Sequence, residues 1–210
     1  MFSDINPGEH IMKIIAADPG ISGAICIKDD KKNIIVFDMP TLKNKKGKKI
    51  FDVAKMAEMI LSHKDADLFV IEDVHCLFGN GAVSMFNFGR GKGILEGIAF
   101  ASGLKVEYVS PQTWKKSFPE LAPPAKVKST KNKNLSSASK DNALLTEKEK
   151  QEKYEKDKAK RLFKAEAKSK ARKLAGKLYP ELANRFKTVN SDGRAEAVLL
   201  ATFAENVFKE

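Results

Sequence analysis

The chain has 210 residues, with 38 Lys+Arg against 27 Asp+Glu, a formal net charge of +11 and 42% hydrophobic residues. That length holds one domain of ordinary size, with or without a long insertion, and the apolar content excludes a wholly disordered chain. The cationic surplus suits a polyanionic partner, nucleic acid or an anionic membrane face, with a merely soluble basic protein as the plain alternative. Between Pro123 and Lys177 there are eighteen Lys/Arg and seven Asp/Glu, so this one segment holds the whole surplus and the remainder carries twenty of each sign.

Residues 1–11 (MFSDINPGEHI) lack an apolar core and are expected to extend outside the fold. No stretch approaches ~20 consecutive apolar residues, so no membrane span is expected. The run KIIAA (13–17) predicts a strand that stops at the turn signal Asp18-Pro19-Gly20. Residues 23–27 and 33–38 predict two more strands, joined in a meander by the charged turn 28–32. Cys26, in the second strand, and Cys76 lie fifty positions apart with no CxxC, and both read as reduced, buried, small apolar residues.

The basic stretch 43–49 (KNKKGKK) predicts a loop. Phe51, Ala54, Met56, Met59, Ile60 and Leu61 after it suit one face of a helix. The run LFVIE within 67–73 predicts a strand buried on both faces, reached by a right-handed crossover. A loop holding Gly79-Asn80-Gly81 leads to a helix over 83–102. Its Gly89, Gly93 and Gly97 recur at i, i+4 and i+8, a spacing that permits close backbone approach to another element, a partner chain or a ligand. Residues 105–109 predict a strand that ends at Ser110-Pro111, with Trp114-Lys115-Lys116 beyond.

The segment 123–146 is rich in Lys, Ser and Asn and reads as a mobile loop. Residues 147–178 predict a helix with a thin apolar stripe, and a final helix starts at Ser191-Asp192-Gly193. The order βββαβαβα implies an α/β domain over 12–210, a mixed five-stranded sheet with helices on both faces, interrupted by a basic loop-helix insertion at 123–178.

Acids at strand ends are the informative ones, because an unpaired buried charge is strongly disfavoured. Asp18 follows KIIAA directly and Glu72 ends LFVIE, so the two converge if their strands are neighbours. Asp192 and Glu196, four apart, share one side of the last helix. Carboxylates gathered without His or Cys suit hard, oxygen-liganded cations such as Mg2+ or Mn2+, and such ions support phosphodiester hydrolysis. Plainer readings stand beside these: Asp18 as an Asx-turn residue, Asp192 as an N-cap, Glu196 as a first-turn acid favoured by the helix dipole. Asp73 is expected to face outward, and His75 reads as a surface residue or a helper near a phosphate. The run 88–93 (FGRGKG) lacks the spacing of a nucleotide-binding loop, so no nucleotide cofactor is expected.

Four blocks carry a resemblance: IIAADPGISGA (14–24), FVIEDVH (69–75), SMFNFGRGKGILEGI (84–98) with VSPQTWKK (109–116), and SDGRAEAVLLA (191–201). In this order and spacing the chain resembles the RuvC-like Holliday junction resolvases of the RNase H-like superfamily, the phage and viral type above all. The resemblance implies a homodimeric, structure-selective endonuclease that nicks symmetrically related strands of a four-way DNA junction with Mg2+ or Mn2+. It implies Asp18, Glu72, Asp192 and Glu196 as catalytic metal ligands, although the family often closes its site with two aspartates where this chain has Asp192 and Glu196. It also implies the glycine-bearing helix as the dimer interface. Arg90, Lys115 and Lys116 are candidate DNA contacts, with solvated lysines as the plain alternative. The basic insertion is expected to grip junction phosphates outside the active site.

Two other functions share these features. One is a different RNase H-like nuclease, cutting branched DNA or RNA–DNA hybrids; the other is a non-catalytic nucleic-acid-binding module. The reduced cysteines and absent signals imply a cytoplasmic location or, for a viral protein, the host site of viral DNA replication.

Overall fold

A computed structural model describes residues 12–29, 31, 33–74, 81–121 and 147–209. The expected N-terminal extension 1–11, the loop 123–146, Gly79, Asn80, His75 and Cys76 lie outside the described residues.

Five strands form the central sheet: β1 (Lys13–Ala17), β2 (Ala24–Asp29), β3 (Ile34–Asp38), β6 (Leu68–Glu72) and β7 (Val106–Val109), in the order β3-β2-β1-β6-β7. The meander pairs β1 with β2 and β2 with β3 antiparallel, whereas β6 and β7 run parallel to β1 and to each other. Between β3 and β6 lies a small hairpin, β4 (Thr41–Lys43) with β5 (Lys49–Phe51), followed by α1 (Val53–Leu61). The basic run 43–49 is therefore the turn of a hairpin, and Phe51 belongs to a strand instead of the helix. Asp52 caps α1 by accepting from Lys55 N at 3.1 Å, which fixes the helix start after Phe51.

Alternation along the central strands divides the core into two layers. Ile15, Ala17, Ile25, Phe69 and Ile71 face α1 and α2 (Ala82–Ala101), where they meet Met56, Ile60, Leu95 and Ala99. Ile14, Ala16, Cys26, Leu68 and Val70 face the other way, toward Trp114 of α3 (Pro111–Lys116), the end of α4 (Glu147–Leu178) and α5 (Asp192–Phe208). Helices cover both faces, as expected. Burial of each large side chain stabilises by roughly 1.5–3 kcal/mol. Cys26 is a free, fully buried thiol whose pKa burial pushes up.

The basic segment is not a mere appendage. Ala171, Leu174 and Ala175 of α4 are buried in the second layer, so the last turns of this helix belong to the core, while residues 161–168 before them are exposed. The sequence stripe was thin because only one end of the helix packs. Among the described residues no helix is long and apolar enough to cross a membrane.

Close backbone approach within the chain falls on glycines other than the three spaced ones. A Cβ at Gly89, Gly93 or Gly97 would meet nothing within 4 Å, whereas one at Gly91 would lie 2.1 Å from the Pro19 carbonyl oxygen and 2.6 Å from Phe51 Cζ. Gly91 thus lets α2 lie against the turn that follows β1. Gly91→Ala is expected to lower the unfolding free energy by about 1–3 kcal/mol, because backbone must shift to admit the methyl. Urea denaturation checks this as a lower midpoint at unchanged slope.

Candidate active site

The register builds the site. Ala17 pairs with Ile71 across the parallel β1–β6 ladder, so the next residues along, Asp18 and Glu72, leave the sheet side by side. Asp18 accepts from Gly20 N at 3.1 Å, so the Asx-turn reading is correct and describes the same residue that points into the site. Glu72 is only 5% exposed and accepts from Trp114 Nε1 at 2.9 Å. Its neighbour Asp73 turns away, as alternation requires, and meets Lys92 Nζ at 2.6 Å.

The helix-borne acids arrive through a glycine contact. A Cβ at Gly193 would fall 2.5 Å from the Ser22 carbonyl oxygen, and one at Gly23 would fall 2.1 Å from the Asp18 carbonyl oxygen. The bare backbone of Gly193 lets the first turn of α5 press against the β1–β2 turn, and that of Gly23 lets this turn close on Asp18. Asp192 is the first helical residue, not the cap, and it is ion-paired with Arg172 and, at 3.0 Å, with Lys168, both of α4. Glu196, one turn on, accepts from Lys115 Nζ at 2.8 Å. Arg194 between them clamps Asp38 of β3 with two hydrogen bonds.

All four acids line one cleft of about 950 Å3, with Ser84, Phe88, Lys168 and Asn190 on its walls. Lys115 reaches it through Glu196 and lies over the Trp114 ring at 4.8 Å. Ser110 explains why Lys115 is there: it caps α3, accepting from Thr113 N at 3.2 Å, and Pro111 opens the helix, which carries Trp114 inward and Lys115 toward α5. Lys116 and Arg90 are exposed, and neither lines the cleft. Of the three expected DNA contacts, only Lys115 therefore joins the acids. Lys168 and Arg172 were missed by sequence reasoning. The available signal was Lys168 and Arg172 at i and i+4 beside the small apolar patch Ala171, Leu174 and Ala175.

Electrostatics reflect the crowding. Burial, then the Glu196 charge, raises Asp18 to about 6. Burial, then Asp18 and Glu196, raises Glu72 to about 8. For Lys115, burial favours the neutral amine, but Glu196 outweighs it and the pKa is raised. Neither Asp18 nor Glu72 is in ion-pair contact with a cation among the described residues, while Asp192 and Glu196 are. No group of three or more His, Cys, Asp or Glu side chains among the described residues is arranged to hold a metal ion with the side chains as they stand. The donor chemistry nevertheless fits a hard divalent cation: four carboxylates border one cleft, and burial together with the neighbouring acids raises the pKa of two of them.

A carboxyl raised on folding binds more protons in the folded protein than in the unfolded chain, so stability falls as pH rises from the unfolded pKa through the folded one. For Glu72 that window runs from 4.5 to about 8. Without divalent cations, the protein is expected to lose stability from about pH 6 to about pH 8, and Glu72→Gln to flatten that fall. Thermal unfolding across the pH series in EDTA reads the slope; an equal slope in both proteins contradicts the assignment.

No protein-family model matches the chain, and no curated protein matches it. It is similar to the solved structure of Thermus thermophilus RuvC in complex with a Holliday junction substrate, at 12% identity over 93% of this chain and 95% of that one, with a TM-score of 0.46. It is also similar to a structure of Thermus thermophilus RuvC at 16% identity, over 50% of this chain and 68% of that one, with a TM-score of 0.33. The sheet itself, in the order β3-β2-β1-β6-β7 with β2 alone antiparallel to its neighbours, gives the chain an RNase H-like fold.

Proposed function

We propose that this chain is a divalent-metal-dependent endonuclease that resolves four-way DNA junctions by paired nicking. The observation that carries the reading is the meeting of Asp18, Glu72, Asp192 and Glu196 in one cleft at the strand ends. An all-oxygen donor set of this kind suits Mg2+ or Mn2+. Bound there, such ions supply an activated water and charge stabilisation at the leaving 3′ oxygen.

The residues divide that work. Asp18 and Glu72 stand on rigid strand ends, and the Trp114 N–H fixes one Glu72 oxygen, which leaves the other to face the cleft. Asp192 and Glu196 approach from α5, so the donors come from two strand ends and one helix, and the contact of Gly193 with Gly23 sets the helix against the β1–β2 turn. Lys115 sits at the rim, where a scissile phosphate would need a counter-charge. The four-block sequence resemblance supports a branched DNA substrate, and the basic helix α4 supports a polyanion.

Paired nicking needs two sites, and α2 offers a face for a second copy. Phe86 is 70% and Phe100 61% exposed there, along the line of Gly89, Gly93 and Gly97, where added side chains would meet nothing in the same chain. The reading is therefore a homodimer joined through α2.

Two experiments test it. With Mg2+, a four-way junction is expected to receive symmetric nicks near its centre, in preference to duplex, flap or RNA–DNA hybrid. Asp18→Asn is expected to cut roughly a thousandfold more slowly or not at all, while still binding the junction. Cutting that survives in Asp18→Asn overturns the site. Separately, Gly93→Leu is expected to give a folded monomer by sedimentation, with an unchanged circular dichroism spectrum and single, unpaired nicks; a persistent dimer excludes the α2 interface.

A further inference from the structure

The cations that meet the acids of this cleft, Lys115, Lys168 and Arg172, are engaged by protein carboxylates, although a site for a phosphodiester would need them for the substrate. Asp192 holds both Lys168 and Arg172. These two belong to one face of α4. Lys158, Arg161, Lys168 and Arg172 recur at i, i+3, i+10 and i+14, all within about 40° of one line down the helix at 100° per residue. Lys158 and Arg161 are exposed, so the row runs from solvent to Asp192. From Lys158 to Lys177 the helix has nine Lys/Arg against one acid, Glu166. The rise of 1.5 Å per residue gives the row a length of roughly 20 Å, enough for several phosphates of one strand. Arg172 is anchored beside the buried Ala171 and Ala175, so its position follows the packed end of the helix.

We infer that Lys168 and Arg172 are phosphate ligands of the DNA, held in reserve by Asp192 until a divalent cation takes over that carboxylate. The inference rests on the nuclease reading of the cleft and adds to it a coupling between two ligands. With no cation bound, Asp192 needs its two positive partners and the inner end of the row is closed to DNA. A cation on Asp192 replaces their charge, and the row opens along its full length. Metal and DNA then strengthen each other's binding through these three side chains.

The test measures binding, not cutting, with a fluorescent four-way junction and a linear duplex of the same arm sequence. Titrations run in EDTA and in Ca2+, over a range of salt, with the whole chain. Asp192→Asn is expected to bind DNA in EDTA roughly tenfold more tightly than wild type, about as tightly as wild type in Ca2+. Its plot of log K against log salt should be steeper by about 1.8, the value for two further phosphate contacts at about 0.9 each. Asp18→Asn removes an acid charge from the same cleft without releasing a paired cation, so its slope should match wild type. Placing Lys168→Gln and Arg172→Gln on top of Asp192→Asn should abolish the gain, as a double-mutant cycle with strong coupling.

If Asp192→Asn fails to fold, wild type against the Lys168→Gln, Arg172→Gln double variant decides alone. Ca2+ should then steepen the salt slope of wild type and leave that of the double variant unchanged. Equal slopes for Asp192→Asn and Asp18→Asn, or for the double variant and wild type in Ca2+, overturn the inference while the nuclease reading stands. Failure of every protein to bind DNA in Ca2+ overturns both.

Discussion

Carboxylates gathered at the ends of two neighbouring parallel strands repel one another and lose hydration together, and much of this structure is arranged around that cost. Asp18 and Glu72 stand next to each other because β1 and β6 pair in parallel register. Burial raises the pKa of both, helped by Glu196 at Asp18 and by Asp18 and Glu196 at Glu72. The two acids contributed by α5 are compensated differently, by direct ion pairs with Lys115, Lys168 and Arg172. One cleft thus contains two ways of managing surplus negative charge: proton uptake at the strand ends and pairing at the helix. A divalent cation relieves both at once, which is the physical reason to regard the cleft as a cation site.

The helices follow from the same constraint. α5 must bring Asp192 close to β1, and it does so at Gly193, which has no Cβ to strike Ser22 and Gly23, while Gly23 itself lets the turn close on Asp18. α3 must supply Trp114 to one acid and Lys115 to another, and its short length with a Ser-Pro start fixes both in a single turn and a half. Farther along α5, Lys28 of β2, almost fully buried, is paired with Glu205, and Tyr179 meets Thr202 at 2.8 Å. Such buried pairs are costly to break once one partner is removed, so they hold α5 at a fixed position on the sheet.

Much of this was legible in the chain. KIIAA and LFVIE, each followed or ended by an acid, announced the two central strands and the acids at their ends, because a fully buried strand reads as a continuous apolar run. The long helix 147–178 was legible by composition. The hairpin of β4 and β5 was not, since three-residue strands around a lysine-rich turn show no alternation. α3 was missed because six residues are too few for periodicity. Lys168 and Arg172 were hidden among thirteen Lys/Arg of one helix, and nothing local marks which of them turn inward. That choice is made by tertiary packing at Ala171, Leu174 and Ala175. The expectation that attraction and chemistry occupy separate parts of the chain fails for the same reason, as the basic segment reaches into the acid cluster.

The order of these elements along the chain has a consequence for biosynthesis. The strands, Asp18, Glu72 and Lys115 all precede residue 122, whereas Lys168, Arg172, Asp192 and Glu196 follow residue 146. A ribosome delivers the first group well before the second, at about 5–20 residues per second. During that interval one face of the sheet, with Ile14, Ala16, Cys26 and Val70, lacks α4 and α5 and has only α3 against it. The nascent sheet holds two of the four acids, so the cleft and its full set of carboxylates form only once α5 has docked.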